Sequence, residues 1–303
     1  MTPLATVAAA GTLNEGAADT RTRRIWLGLQ LALVTTLIAA LYAEVFPGLV
    51  SDWWNDDGAS HGFLIPPFAA YLAWRGRRGL RETPAGPDAR GLLVVIGACL
   101  AFLAGRLGAE FFVTRVSFVV LLAGLAWTFW GLARLRALAL PLLLLVTMVP
   151  LPAILYNSLS APLQLFASRC SEQLLHLVDV PVYRDGNILH LSEISLGIAE
   201  ACSGLRSLAS LLVLALLTGF LWCSGLPARA TLMVLAIPIA ITVNVLRVAG
   251  TALLADRNSQ LALGFYHGFS GWLIFVAGFV LLLATAKALH ALLDRAGPTE
   301  PAL

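Results

Sequence analysis

The sequence predicts an all-α, polytopic integral membrane protein, a helical bundle of about eight spans. Two observations carry that prediction. Of 303 residues, 59% are hydrophobic and only 12% are charged, and the mean hydropathy is +0.84. A soluble chain would be about a quarter charged, so there is too little charge here to cover a water-facing surface. The apolar residues also gather in runs of span length, about 20 residues for a hydrocarbon layer of about 30 Å. An ordinary soluble enzyme, a disordered chain and a nucleic-acid-binding domain are thereby excluded. The formal net charge of +3 fits cytoplasmic loops better than a nucleic-acid surface.

The elements follow in order. Residues 1–24 are small and polar, end in Arg21, Arg23 and Arg24, and read as a disordered cytoplasmic tail. The run Ile25–Phe46 is too long for the core of a cleaved signal peptide and has no clear cleavage site after it, so it reads as the first span. Further spans are expected at 61–75, 91–109, 116–132, 137–155, 205–223, 230–249 and 268–289, the first of these being short. Residues 25–290 then form one membrane domain and 291–303 a cytoplasmic C-terminal tail. A cytoplasmic N-terminus puts most cations inside, above all the cluster Arg75, Arg77, Arg78 and Arg81, as the positive-inside rule favours.

Two outer segments stand out. Pro47–Ser60 carries Asp52, Trp53, Trp54, Asp56 and Asp57, and paired Trp beside acids suits a membrane–water interface. Pro150–Cys202 is long. Within it, Leu159, Leu163, Phe166, Cys170, Leu174 and Leu177 recur at helical spacing, which suggests a small extracytoplasmic amphipathic helix over Ser158–Val178. Asp185-Gly186 between short apolar stretches then signals a β-hairpin.

Three side chains with chemistry in them fall at the same end of three different spans. Cys202 precedes the sixth span, Arg247 lies near the end of the seventh, and His267 precedes the eighth. Cys202 sits among Ala201, Ser203 and Gly204, small residues that let a substrate approach. A helix starting just after it would aim N–H groups at the sulfur and favour a thiolate, and Arg206 adds positive charge one turn away. Asn244 precedes Arg247 by three residues and shares its helix face. Each also has a plain structural reading. A lone Cys is a small core residue, an Arg near a span end snorkels to the interface, and a His there is a hydrogen-bonding group. Glu200 orients a cation or histidine, or is simply a carboxylate favoured at a helix start.

Cys99 and Cys223 read as packing residues, while Cys170, also outside, is a candidate disulfide partner for Cys202. His61 opens the second span in Ser60-His61-Gly62-Phe63, a phrase like Tyr266-His267-Gly268-Phe269, and either histidine could meet Cys202. No CxxC or Cys/His spacing suggests zinc, and neither metal nor cofactor is expected. Cys, His and Arg without metal suit acyl transfer through a thiol. The thiolate attacks a carbonyl, a base and acid handle the proton, and a fixed cation stabilises the oxyanion.

At these residues the sequence resembles the exosortase family, integral membrane sortase-like enzymes that include the archaeosortases. The matching phrases are Glu200-Ala-Cys-Ser-Gly-Leu-Arg-Ser207, Asn244-Val-Leu-Arg-Val248, the Tyr266–Phe269 region and the early Asp57-Gly-Ala-Ser-His-Gly-Phe-Leu-Ile-Pro66. The resemblance implies a cysteine peptidase or transpeptidase of the bacterial inner membrane, with both termini cytoplasmic and its active site on the periplasmic side. Its substrates would be C-terminal sorting tails of secreted proteins, of the PEP-CTERM kind. The tail would pass through a thioester on Cys202 to an amine acceptor or to water. Cys202, Arg247 and His267 would be catalytic, with Glu200, Arg206, Asn244 and His61 supporting. Membrane lipids are the other expected partners, and nucleic acid is not. The competing readings are a transporter, a handler of lipid-linked polysaccharide, and a non-catalytic envelope subunit. None of them gives Cys202 a task.

Overall fold

The computed structural model describes residues 26, 28–30, 32–56, 58–192, 194–198, 205–223, 225–257 and 265–293, with side chains in the last segment from Phe269 to Leu292. The chain forms two compact units, Met1–Val50 and Ser51–Leu303. In the first, helix α1 covers Gly28–Leu41. Leu29, Leu33 and Leu37 recur every fourth residue on it and all are exposed, a face that suits lipid. A turn at Tyr42–Glu44 leads into α2, Val45–Asn55.

The second unit continues through a 3-10 turn, Ser60–Leu64, into α3 (Ile65–Arg75) and α4 (Arg77–Glu82). Helices α5 (Gly91–Leu107) and α6 (Phe111–Ala137) form a tightly packed pair. Glycine makes that closeness possible: a methyl group on Gly91 or Gly105 would overlap Thr128 or Thr114 of the facing helix. α7 (Ala139–Val146) packs on α3 and α6. α8 (Ala153–His176) packs on α10. A three-stranded antiparallel sheet follows, β1 (Tyr183–Asp185), β2 (Ile188–His190) and β3 (Ser195–Gly197), in the order β1-β2-β3. Asp185 pairs with Ile188 across a turn in which Gly186 takes φ +60°, a left-handed conformation that glycine adopts without strain.

The last three helices are α9 (Leu205–Trp222), α10 (Leu226–Arg257) and α11 (Phe265–Leu293). They share a core of Leu211, Ala215, Leu232, Ala236, Ala240, Leu282 and Ala286. Alanine at the crossings brings the backbones together, as van der Waals packing in a membrane requires. A second core seats the sheet on the last turns of α10, where Leu189, Leu191 and Ile198 meet Val248, Ala252 and Ala255.

An all-α membrane bundle is present, but the expected eight spans are not. Among the described residues, four helices are long and apolar enough to cross: α6, α9, α10 and residues Phe269–Leu292 of α11. Counting α1 and α2 as one broken span makes five. The difference lies in where the backbone breaks, which apolar content does not reveal. The region 61–75 begins as a 3-10 turn and leaves α3 only 11 residues. The region 137–155 stops being helical after Val146, before Pro150 and Pro152, leaving α7 with 8 residues. At 1.5 Å per residue those helices cover about 16 and about 12 Å, far short of a bilayer's about 30 Å. α5 has 17 residues and also falls below span length.

The amphipathic helix also differs from expectation. α8 is longer, 24 residues, and it turns its small polar side inward. Ser160, Ser168 and Ser171 are buried while Leu155, Leu159, Leu165 and Phe166 are exposed. The Ser171 hydroxyl donates to the Val245 carbonyl of α10 at 3.2 Å, and the Ser168 hydroxyl to that of Gly186 at 3.0 Å. Ala167 and Leu175 complete the buried side, Leu175 joining the core formed with Val248, Ala252 and Ala255.

Candidate active site

The three core helices supply a common level from which the site can be placed. Leu211 of α9, Val243 of α10 and Gly278 of α11 meet there. A Cβ on Gly278 would lie 3.1 Å from Leu211 Cδ1 and 3.7 Å from Val243 Cγ1. Counting at about 1.5 Å per residue along each helix, Arg206 lies about 7.5 Å and Arg247 about 6 Å from that level, with Gly271 at about 10.5 Å and His267 at about 16.5 Å. All four displacements run toward the same end of the bundle. That end is where α9 begins, just after Cys202.

Arg247 points farther toward that end and across to α11. Its Nη2 lies 3.0 Å, and its Cζ 3.3 Å, from where a Cβ on Gly271 would stand. Only glycine leaves room for the guanidinium in that position. Gly271 follows His267 by four residues, so the two share one face of α11. Asn244 is buried at 3% exposure one turn before Arg247, and Ser270 beside Gly271 is buried too. α10 therefore presents polar groups within an apolar core, a costly placement in a membrane. His267 lies in the first turn of α11, and its side chain is outside the described residues.

Cys202 and Glu200 also lie outside the described residues, but the chain is fixed on both sides of them. Before them, Ile198 is 3% exposed, and its N–H donates to the Asn187 carbonyl at 2.9 Å. Asn187 Nδ2 donates in turn to the Ile198 carbonyl at 3.2 Å and to Gln164 Oε1 on α8 at 3.0 Å. After them, buried Leu205 opens α9. Cys170 on α8 is a free thiol, half-buried.

Asp56 and Gly58 lie against Arg206 in the first turn of α9. Asp56 Oδ1 pairs with Arg206 Nη2 at 3.6 Å. Arg206 Nε packs 3.3 Å from the position a Cβ on Gly58 would take. Asp56 also closes its own turn, accepting from the Gly58 N–H at 2.8 Å. The far end of the stretch is tied to the frayed end of α7. His61 Nε2 donates to the Thr147 carbonyl at 3.2 Å, and Trp53 Nε1 to the Met148 carbonyl at 2.8 Å. The Trp53 indole lies on Gly62 so closely that any side chain there would overlap it. Burial holds the His61 imidazole below its usual pKa, and the Thr147 and Gly58 carbonyls and the Asp56 carboxylate oppose that effect.

Of the residues expected at the site, the structure brings Arg247 to Gly271, one α11 turn from His267, leaves Asn244 one turn deeper on α10, and sets Arg206 against Asp56 and Gly58 of the turn that also carries His61. The opposite end of α9 is cationic in a different way. Arg75 Nη1 donates to the Phe220 carbonyl at 3.1 Å, Arg229 Nε donates to that of Cys223 at 3.3 Å, and the Arg229 guanidinium lies 4.3 Å over the Phe220 ring. Sequence reasoning missed Asp56, Gly58 and Gly271. The acidic Trp-Trp segment was legible as interfacial, but nothing in it announced that Asp56 folds back onto Arg206. Among the described residues, no group of three or more His, Cys, Asp or Glu could hold a metal ion.

A family model for transmembrane exosortases matches residues 53–284. The chain belongs to the transmembrane exosortase family. The matched region opens at the Trp53 that clasps Gly62 and runs through the Cys202, Arg247 and His267 phrases into α11. Exosortase membership supports a membrane transpeptidase or protease role. No curated protein and no solved structure matches this exosortase significantly.

Proposed function

We propose that this exosortase is a cysteine transpeptidase or protease that cuts C-terminal sorting tails of secreted proteins at the outer face of the bacterial inner membrane. The observation that carries the reading is the placement of Arg247. Its guanidinium rests on Gly271, one helical turn from His267, at the end of the bundle where the chain passes through Cys202. A tail with its own span would present the peptide just outside that span at the same depth.

In this mechanism Cys202 gives up its proton to His267, and the thiolate attacks the carbonyl carbon of the scissile peptide. Arg247 stabilises the tetrahedral oxyanion, with Asn244 one turn beneath it. The C–N bond breaks as His267 returns the proton to the leaving amine, which departs with the hydrophobic tail. The acyl group remains as a thioester on Cys202. An acceptor amine or water attacks it, transfers a proton to His267, and releases the thiol. Glu200, Arg206 and His61 support the site from the α9 side.

The orientation follows from the two ends of α9. The cluster Arg75, Arg77, Arg78 and Arg81 belongs to the α3–α4 end that Arg75 ties to Phe220, 14 residues from Arg206 along α9. Placing that end in the cytoplasm satisfies the positive-inside rule and puts the site outside. In that orientation 291–303 is a cytoplasmic tail, and we further assign the 1–24 tail to the cytoplasm, with residues 25–290 as the membrane domain.

The test is a secreted reporter carrying a candidate tail, co-expressed with the native protein or with Cys202→Ser and read by intact mass. Loss of the tail with the native protein alone is the expected result, and the new C-terminal mass separates hydrolysis from transfer. Processing that persists in Cys202→Ser removes the thiol from the mechanism.

A further inference from the structure

We propose that Arg75 and Arg229 form a binding site for the phosphate of an anionic phospholipid, at the end of α9 opposite the candidate active site. The site uses residues that the proposed reaction does not, and it stands or falls apart from that reaction.

The two arginines reach one helix end from different elements. Arg75 is the last residue of α3, and Arg229 stands in the first turn of α10. Arg75 Nη1 donates to the Phe220 carbonyl and Arg229 Nε to that of Cys223, three residues further on. Arg229 is held on two more sides. Its stem runs along Gly219, where a Cβ would meet Cγ at 3.5 Å, and its guanidinium lies 4.3 Å over the Phe220 ring. The two cations are close enough to repel one another. Among the described residues, neither forms an ion pair with a carboxylate.

Like charges held together need something negative beside them. The end of α9 offers about half a negative charge, but the adjoining start of α10 brings about half a positive one, so the helix ends cancel. Hydrogen-bonding capacity is also left over. A guanidinium has five N–H donors, and among the described residues each of these two spends one, on a backbone carbonyl. Arg75 is exposed and Arg229 half-buried, so the other donors are within reach of a ligand. A phosphodiester fits this pair. It carries one negative charge, and its free oxygens accept from planar guanidinium forks.

The surroundings decide where the phosphate comes from. α9 and α10 are both of span length, and the pair sits where one ends and the other begins, which is headgroup depth. Beside it Trp74, Leu221, Trp222 and Leu226 are exposed, between 49% and 77%. Tryptophan at a span end suits the membrane interface, and the leucines offer acyl chains a surface next to the phosphate. A dissolved phosphate would use none of these side chains. Arg77 is engaged separately, lying 4.0 Å over the Trp74 ring and donating to the Trp74 carbonyl at 3.0 Å.

The experiment places the full-length protein in nanodiscs of phosphatidylcholine, alone or with a minority of phosphatidylglycerol. Native mass spectrometry reads the lipids retained, and thermal unfolding reads stability. The native protein is expected to retain phosphatidylglycerol over phosphatidylcholine by about ten-fold or more, as hydrogen bonds to a charged group supply. It is also expected to melt higher when phosphatidylglycerol is present. Arg75→Gln and Arg229→Gln should each lose most of that preference and most of that rise. Arg78→Gln removes an exposed cation nearby and should keep both. Arg229→Lys keeps the charge without the fork and should fall between. Each rise is measured against the same variant in phosphatidylcholine alone, so a lost bond to α9 does not count as lost lipid.

A native protein that retains the two lipids alike overturns the proposal. So do equal losses in Arg78→Gln and Arg75→Gln, the mark of a diffuse field to which every arginine contributes similarly. Inorganic phosphate that reproduces the melting rise in phosphatidylcholine discs makes the ligand a dissolved anion and removes the lipid. Should Arg75→Gln or Arg229→Gln fail to fold, Arg229→Lys decides, and the full native preference in it overturns the proposal. None of these readings involves tail processing, so the reporter assay can fail while the lipid site stands.

Discussion

Gly271→Ala tests whether the position of the Arg247 guanidinium matters to catalysis separately from its charge. The added methyl would stand 3.0 Å from Nη2 and 3.3 Å from Cζ. An ordinary carbon–nitrogen contact is near 3.6 Å, so the guanidinium must retreat by about 0.6 Å. Retreat is cheap for stability, because the obstructing atoms end a flexible side chain. Alanine in place of glycine inside a helix also returns about 1 kcal/mol of propensity. The variant should therefore melt at the native temperature or slightly above it. Catalysis tolerates such a shift badly, since misplacing a group by about 1 Å can cost about 100-fold. A loss of about 10-fold in the rate of tail processing follows, against about 100-fold or more for Arg247→Ala, which removes the cation altogether. The assay is reporter processing under single-turnover conditions beside thermal unfolding in the same detergent. Full activity in Gly271→Ala would refute the placement of Arg247 in the reaction. Equal losses of activity and of melting temperature would make Gly271 a packing residue only.

Three further outcomes are expected. Gly62→Ala forces the Trp53 indole off its seat and strains its bond to the Met148 carbonyl, which should cost on the order of 2 kcal/mol or more in thermal unfolding. Burial holds His61 below its usual pKa, so near pH 6 the folded protein binds fewer protons than the unfolded chain. Stability should then be full above the unfolded value of about 6.5 and fall as the pH drops through the lowered folded one. His61→Gln should flatten that dependence, and an unaltered slope would assign it to other groups. In a background lacking the native cysteines, Tyr183→Cys should react with an impermeant maleimide on intact spheroplasts, and Arg78→Cys only after lysis. The reverse pattern would invert the orientation.

The sequence made the membrane class and the long helices readable, because hydropathy and chain length determine them together. Which half-length apolar stretches fail to span depends on backbone breaks. Those at Ser60 and after Val146 are set by tertiary anchoring of the Thr147 and Met148 carbonyls, and apolar content does not encode it. The inward turn of α8 was hidden for a related reason. The leucine stripe was visible, but which side packs depends on the partners Ser168 and Ser171 find in Gly186 and Val245, far along the chain. Gly271 showed no motif at all. Its importance exists only in relation to an arginine 24 residues earlier on another helix.

The arginines at the two ends of α9 explain why one end is structural and the other reads as functional. A helix is negative at its C-terminus, where cations are favourable by about 0.3–1 kcal/mol each. Arg75 and Arg229 sit there and donate to the carbonyls of Phe220 and Cys223, which the helix itself leaves without partners. Their bonds to α9 follow the local rule. Arg206 breaks the same rule, standing in the first turn where the helix is already positive. Such local conflicts persist where something else requires them. Asp56 offsets the conflict without removing the charge. A purely structural α9 would be more stable with an acid at position 206 and no Asp56 folded against it. The chain keeps the opposite arrangement, in a turn tied through Trp53 and His61 to the carbonyls just after α7, which agrees with the proposal, carried by Arg247, that the chemistry lies at this end.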